Sequence, residues 1–326
     1  MAFSQNITIS QIAERAGVST ATASRVINRP GTVKEETRNK VLQAMKDLNC
    51  QVKLSNNKIL LASFTDFVNP FYSECIVGMQ SAAKRRGYQI FLQQIENADN
   101  PASYEALLSG KLFQGVIFCH SIPSGETLDS IRMKYPIVMC SQYNDKEDVP
   151  FVAVDDYASA QNAVNYLISV GKKQIAFMNS SLNYSYSTLR EEGFRSALTA
   201  AGLPIREEWI SHLQDIDFNL AFSVATSLLS SDAKPNAIFC ASDVYACAVV
   251  KAAHSLHLDI PTEIAVMGFD NVSLTTMTVP TISTVSQPTY QLGYQSCNLL
   301  IDQIEGHPIP NPKIILATEI IVRSST

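Results

Sequence analysis

From Ile59 onward, short apolar runs of β type alternate with longer stretches of helical period. The runs Ile59–Phe64, Gln89–Gln93, Gly115–Cys119, Ile137–Cys140 and Val152–Val154 make one series. Gln174–Met178, Asn236–Cys240 and Ala265–Phe269 make a second. Between them lie amphipathic stretches at Tyr72–Arg86, Ala158–Val170, Leu189–Ala201, Leu220–Leu229 and Val244–His257. Alternating strands and helices predict parallel sheets covered on both faces. Two successive series predict two doubly wound subdomains rather than one large sheet.

The first fifty residues follow a different pattern, with three short helices predicted over residues 8–48. Thr8 and Gln11 stand at the capping-box spacing, opening a segment with Ile9, Ile12, Ala13 and Ala16 on one side. Gly17 is placed to stop it. Ser19 is a good N-cap for a second helix from Thr20 to about Asn28, and Arg29-Pro30-Gly31 breaks the chain again. Thr32 and Glu35 have the spacing of a second capping box, with Val33, Val41, Leu42, Met45 and Leu48 facing inward. Two short helices joined by a Gly-containing turn make a helix-turn-helix. Small Ala13 lets the helices approach, while Ala23 and Val26 pin the second one. Its other face carries Thr20, Ala21, Thr22, Ser24, Arg25 and Asn28, short and uncharged or basic, a surface that a major groove accepts.

Charge sharpens that division. The 326 residues carry 25 Lys/Arg against 30 Asp/Glu, a net charge of −5. Residues 1–58 account for nine basic and four acidic side chains, so this segment is near +5 and the remainder near −10. A basic module attached to an acidic body is therefore expected, with nucleic acid as the partner of the module alone. With 46% hydrophobic and 17% charged residues, the chain is no disordered tail.

Other function classes find little support. There is no Gly-rich phosphate loop, nucleophile elbow or zinc-binding His pair with a following acid, so no enzyme, metal or cofactor is expected. His254 and His257 lie one turn apart but read as a helix end. Asp155-Asp156 reads as a strand-to-helix cap. Seven cysteines without metal or redox spacing read as free thiols in a reducing compartment. No apolar leader and no membrane-length run stand in the sequence, so a cytoplasmic location without a membrane is expected. Ligands of doubly wound sheets bind beyond the carboxyl ends of the strands. That rule marks Asp66, Asn69, Phe71 and Tyr72, the stretch Ser181–Tyr186, Ser242-Asp243 and Asp270-Asn271. Aromatic and polar in composition, these loops suit a flat or hydroxylated small molecule.

The run TISQIAERAGVSTATASRVINRPGTVKEETRNKVLQAMK, from Thr8 to Lys46, resembles the helix-turn-helix of the lactose/galactose repressor family. Asn69-Pro70-Phe71-Tyr72, Met267-Gly268-Phe269-Asp270-Asn271 and Ile320–Ser325 are similar to further family signatures, so the likeness spans essentially the whole chain. Within the family it looks most like the purine- and cytidine-repressor branch. The resemblance implies a homodimeric repressor on a palindromic double-stranded operator, switched by a sugar or nucleoside in a periplasmic-binding-protein-like body. The domains it implies are a reader over 1–50, a linker over 51–58 and an effector-binding and dimerisation body over 59–326. That body would comprise an N-subdomain of about 59–156 and 287–310, and a C-subdomain of about 157–286 and 311–326. By the same resemblance, Thr20, Ala21 and Arg25 read bases. Ser19, Thr22, Ser24 and Asn28 hold phosphates or the motif's geometry, and Thr8 joins the DNA-facing set. Phe71, Tyr72, Tyr184, Tyr186, Arg190, Ser242 and Asp270 would contact the effector.

Two features depart from the family pattern. The linker is about half the usual length, leaving Leu54 as the one apolar candidate for a minor-groove wedge. Ala23 stands where a larger β-branched residue is common. The short linker makes a degraded regulator, a cytoplasmic sensor or solute-binding protein with weak DNA binding, the rival expectation.

Overall fold

A computed structural model describes residues 8–28, 33–48, 58–95, 103–104, 108, 112–119, 123, 125–143 and 147–326. The chain divides into two compact units, 1–58 and 59–326. Leu54, Thr32 and the expected linker up to residue 57 lie outside the described residues.

In the first unit, Ile9–Ala16 (α1), Thr20–Asn28 (α2) and Glu35–Asp47 (α3) pack around Ile12, Val26, Val41 and Met45. The Thr8–Gln11 capping box is formed in both directions, and Gly17 closes α1 in the left-handed region at φ 66°. Ser19 Oγ accepts from the Thr22 amide at 3.1 Å, the N-cap that its position predicts. Ala23 and Val26 are fully buried. Two expectations change. Ile9 is 41% exposed rather than inward, because the buried stripe of α1 is the narrow pair Ile12 and Ala13. Helix α3 starts at Glu35 behind Lys34, with no side-chain cap.

The second unit holds two six-stranded sheets. Strands Ile59–Phe64 (β1), Gln89–Gln94 (β2), Val116–Phe118 (β3), Ile137–Cys140 (β4) and Phe151–Val154 (β5) belong to the first. Ile175–Ser180 (β6), Ile210–Leu213 (β7), Ala237–Cys240 (β8), Ala265–Asp270 (β9) and Ser283–Ser286 (β10) belong to the second. Lys313–Leu316 (β11) and Glu319–Ile321 (β12) then divide between them, giving the orders β11-β5-β4-β3-β1-β2 and β12-β10-β9-β8-β6-β7. All pairs are parallel except β10 with β12. Parallel strands need crossovers. Helices Phe71–Arg86 (α4), Gly125–Arg132 (α5), Asp156–Ser169 (α6), Ser185–Ala200 (α7), Phe218–Leu229 (α8) and Asp243–Ser255 (α9) supply most of them. The short Leu274–Met277 (α10) precedes β10, and Thr289–Glu305 (α11) follows it.

The expected division of the body needs one correction. Residues 311–326 do not all join the second half, because Lys313 to Leu316 pair in register with Phe151 to Val154 of the first sheet. Ile314 and Leu316, alternate residues of this edge strand, pack against the first core while its other face is wet. The chain therefore crosses between halves three times, at 155, 287–288 and 317–318. Ser159 Oγ ties the first and third crossings, donating to the Asp155 carbonyl at 2.5 Å and lying 2.8 Å from Thr318 Oγ1.

Helices α4 and α11 cover the first sheet at close range. A Cβ at Gly293 would lie 1.9 Å from the Cys75 carbonyl, and one at Gly78 would lie 2.1 Å from the Tyr290 carbonyl. Backbone meets backbone there, so no flexible side chain can yield. Gly293→Ala is expected to destabilise the body by about 1–3 kcal/mol through overpacking. Urea unfolding checks this, and Gly125→Ala is unsuitable as a neutral control because its φ is +54°.

Candidate functional site

Two surfaces carry the chemistry. On α2 the residues opposite Ala23 and Val26 face water: Thr20, Ala21 and Arg25 are exposed, as are Ser19 and Thr8 beside the helix, while Thr22 and Ser24 are half-buried. Asn28 is the last residue of α2. The Ser19 hydroxyl, committed to the Thr22 amide and hydroxyl, holds the helix start rather than reaching outward. Among the described side chains, this polar face carries one cation, Arg25, and is backed by the buried Ala23 and Val26.

The second surface is a cavity in the body, lined from both sheets. Its inner part is bounded by Phe71, Tyr72, Tyr186, Arg190, Ser242 and Asp270, with Asn69, Ser141, Gln142, Ile216, Ala241 and Gln287. An outer part, with more exposed walls, shares Asn69, Tyr72, Gln142, Tyr186 and Ile216 and adds Tyr184, Thr65, Asp66, Gln94, Ser180, Gln214 and Asp215. All seven side chains expected to contact an effector therefore line one continuous cavity.

Each is placed by a strand end or a helix start. Phe71 and Tyr72 open α4, whose first turn is fixed by Asn69 Oδ1 accepting from the Phe71 amide at 3.1 Å. The Tyr72 hydroxyl donates to the Cys119 carbonyl at 3.2 Å, so its ring edge is fixed against the first sheet. Tyr184 and Tyr186 stack with ring centroids 5.5 Å apart at the start of α7. Burial pushes the Tyr186 hydroxyl up to about 12, so it is neutral throughout the physiological range.

Arg190, one turn further along α7, is buried. Its Nε and Nη2 donate to Asp156 Oδ1 at 2.8 and 2.7 Å, and its Nη1 donates to the Ala241 carbonyl at 2.6 Å. The guanidinium carbon lies 3.5 Å over the Phe269 ring and 4.8 Å from that of Tyr186. Glu191, its sequence neighbour, instead pairs with Arg195 and His212. Three of the five guanidinium N–H groups are used, which leaves two for a ligand.

Asp270 ends β9 at φ 121°, followed by Asn271 at φ 63°, and Ser141 after β4 has φ 66°. Three non-glycine residues in the left-handed region therefore cluster at the strand ends, as strained backbone does at binding sites. Asp270 Oδ1 accepts from Gln287 Nε2 at 2.8 Å, and Oδ2 accepts from Ser242 Oγ at 3.4 Å. Burial raises the Asp270 carboxyl to about 7, against the pull of Arg190. Burial also pushes the carboxyl of Asp156 up, again opposed by Arg190.

Some lining residues escape a reading of the sequence. Ser141 and Gln142 follow the fourth predicted strand and the strand-end rule could have named them. Asp156 is the partner of Arg190, whereas Asp155 alone is the helix cap, accepting from the Ala158 amide at 2.8 Å. Gln287 arrives from a crossing that no local pattern marks. Among the described residues no group of three or more His, Cys, Asp and Glu could hold a metal, and no helix is long and apolar enough to cross a membrane.

Comparison with known proteins gives the same picture. Residues 8–51 match the bacterial regulatory proteins of the lacI family, and residues 164–326 match the periplasmic binding protein-like domain. Catabolite control protein A of Priestia megaterium is 30% identical, with 98% of this chain and 99% of that one covered. The ribose operon repressor of Halalkalibacterium halodurans is 31% identical over 98% and 97%. The repressor CytR of Escherichia coli K12 is 29% identical over 98% and 96%. Among solved structures, the regulator CelR in complex with cellobiose superposes with a TM-score of 0.75 at 26% identity, covering 98% of this chain and all of that one. With this reader at its N-terminus and relatives matched end to end, the chain belongs to the lacI family of bacterial regulatory proteins and is a DNA-binding transcription regulator.

Proposed function

We propose that this regulator is a repressor that grips a palindromic operator as a homodimer and is switched by a sugar or nucleoside in the body cavity. Residues 1–50 act as the reader, 51–58 as a short linker and 59–326 as the sensing and dimerising body. The observation that carries this reading is the meeting of Phe71, Tyr72, Tyr184, Tyr186, Arg190, Ser242 and Asp270 on one cavity. They come from four separate stretches of sequence, in a chain that also presents a polar helix-turn-helix face. The cellobiose complex of CelR supports a hydroxylated ligand, and the stacked tyrosines suit the flat base of a nucleoside equally. Exposed apolar side chains support pairing of two bodies: Val77 and Phe91 in the first half, and Met277 and Val279 in the second, at 71% and 80% exposure. The role is binding in the cytoplasm, without chemistry of its own.

Selection of bound sequences from random duplexes tests the reader. An enriched palindrome is expected, and no enrichment at low salt would leave only a sensor. Thermal shift with sugars and nucleosides tests the cavity, because ligand bound to the folded state raises its apparent stability.

Arg25 gives a sharper test of the proposed contacts. Arg25→Ala is expected to weaken selected-operator binding by about 1–3 kcal/mol and to relax preference at one base position per half-site. The salt dependence should change little. A uniform loss over all sequences, with the salt slope lowered by about one, would assign Arg25 to phosphate instead.

A further inference from the structure

An arginine in a binding cavity suggests an anionic ligand, but the charges around Arg190 say otherwise. Among the described lining residues of both parts of the cavity, Arg190 is the one basic side chain. Its charge is already matched by Asp156 at 2.7 Å, and one face of its guanidinium lies against Phe269. The lining also holds Asp270 in the inner part, with Asp66 and Asp215 in the outer part. One backbone donor at each of three helix starts is taken by a side chain of the protein itself. Asn69 accepts from Phe71, Asp155 from Ala158, and Ser242 from Val244. Helix α7 has no side-chain cap, yet Tyr184 at its start lies near Asp215 and Asp66. Burial, then the nearby carboxylates of Asp215 and Asp66, push the Tyr184 hydroxyl up.

We infer that the cavity selects an effector without net negative charge, a neutral or amine-bearing hydroxylated molecule, and rejects phosphate esters and carboxylates. Asp66 and Asp215 are the residues that set this choice at the outer end. Asp66 keeps its loop in place by accepting from the Val68 and Asn69 amides at 2.9 and 2.8 Å. Asn in its place retains an acceptor oxygen for both amides and loses the charge, together with the bond that Oδ2 accepts from Thr65 Oγ1 at 3.3 Å. Asp215 is exposed, so the same isosteric change there perturbs no core. A phosphate entering the wild-type mouth meets two carboxylates, and like charges repel.

This inference rests on the cavity being the effector site, and the test separates the two. A small-molecule extract of bacterial cells is passed over a strong anion exchanger. Flow-through and desalted eluate are each added to the full-length protein, and the melting temperature is read. Flow-through is expected to raise it by several degrees, while eluate does so only after phosphatase has removed its phosphate groups. In the Asp66→Asn, Asp215→Asn double variant, untreated eluate should raise the melting temperature at concentrations that leave the wild type unchanged. Stabilisation of the wild type by untreated eluate, lost on phosphatase treatment, overturns the charge rule and leaves the effector site standing. An unchanged eluate response in the double variant also overturns it. Stabilisation by neither fraction overturns the effector-site reading and the rule together.

Discussion

Arg190→Met is expected to abolish the response to effector and to destabilise the folded body by about 3–5 kcal/mol. Both losses come from the same geometry. Asp156 is 2% exposed and receives both of its charge-assisted hydrogen bonds from Arg190, so the substitution leaves a buried carboxylate alone. The Ala241 carbonyl loses its donor as well. The ligand loses the two N–H groups that the guanidinium has left over. Adding Asp156→Leu separates the effects. Replacing a buried ion pair with apolar side chains of similar volume is often neutral or stabilising, so the double variant should recover most of the lost stability. Effector response should stay absent, because nothing restores the donors. Urea unfolding and effector titration read the two quantities. A double variant that binds effector normally would remove Arg190 from the site.

The second unit shows where a sequence speaks plainly and where it does not. The central strands β1, β3 to β6, β8 and β9 are buried on both faces, and their unbroken apolar runs announce them. Strand β7 has the burial pattern of a half-covered edge, and Ile210-Ser211-His212-Leu213 offers no comparable run. The short terminal strands β11, exposed on alternate residues, and β12, exposed at Glu319 and half-buried after it, belong to different sheets, which only a long-range pairing decides. That is also why residues 313–316 fall on the other side of the division from the one expected. The site repeats the lesson. Asp270 and Ser242 follow strands and are marked by position alone. Asp156 carries a local explanation as part of a helix start, which hides its contact with Arg190, 34 residues away. Gln287 reaches Asp270 by a chain crossing between halves. The face of α2 was the easiest to read, because a helix fixes the direction of every side chain once its buried spine is known.

Asp270 ties effector binding to pH. Burial holds its carboxyl at about 7 in the folded body, against 3.8 when unfolded. Between those values the folded state binds more protons than the unfolded state. The unfolding free energy therefore falls as pH rises from about 4 to 7 and levels off above. Asp243, buried beneath Gly268 and pushed up in the same direction by burial, adds to this slope. Asp270→Asn should consequently reduce the slope without removing it, and should be more stable than wild type at pH 8. Binding runs the other way. The carboxylate accepts hydrogen bonds from ligand hydroxyls more strongly when ionised, so an effector that uses it releases a proton on binding below pH 7. Apparent affinity should then weaken by up to about tenfold for each unit below 7 and be flat above it. In Asp270→Asn the affinity should be lower and free of this dependence. Calorimetric titrations at pH 5.5 and 8, in buffers of different ionisation enthalpy, measure both the affinity and the proton released. Equal wild-type affinity at the two pH values, with no proton exchanged, would mean that the effector leaves Asp270 untouched.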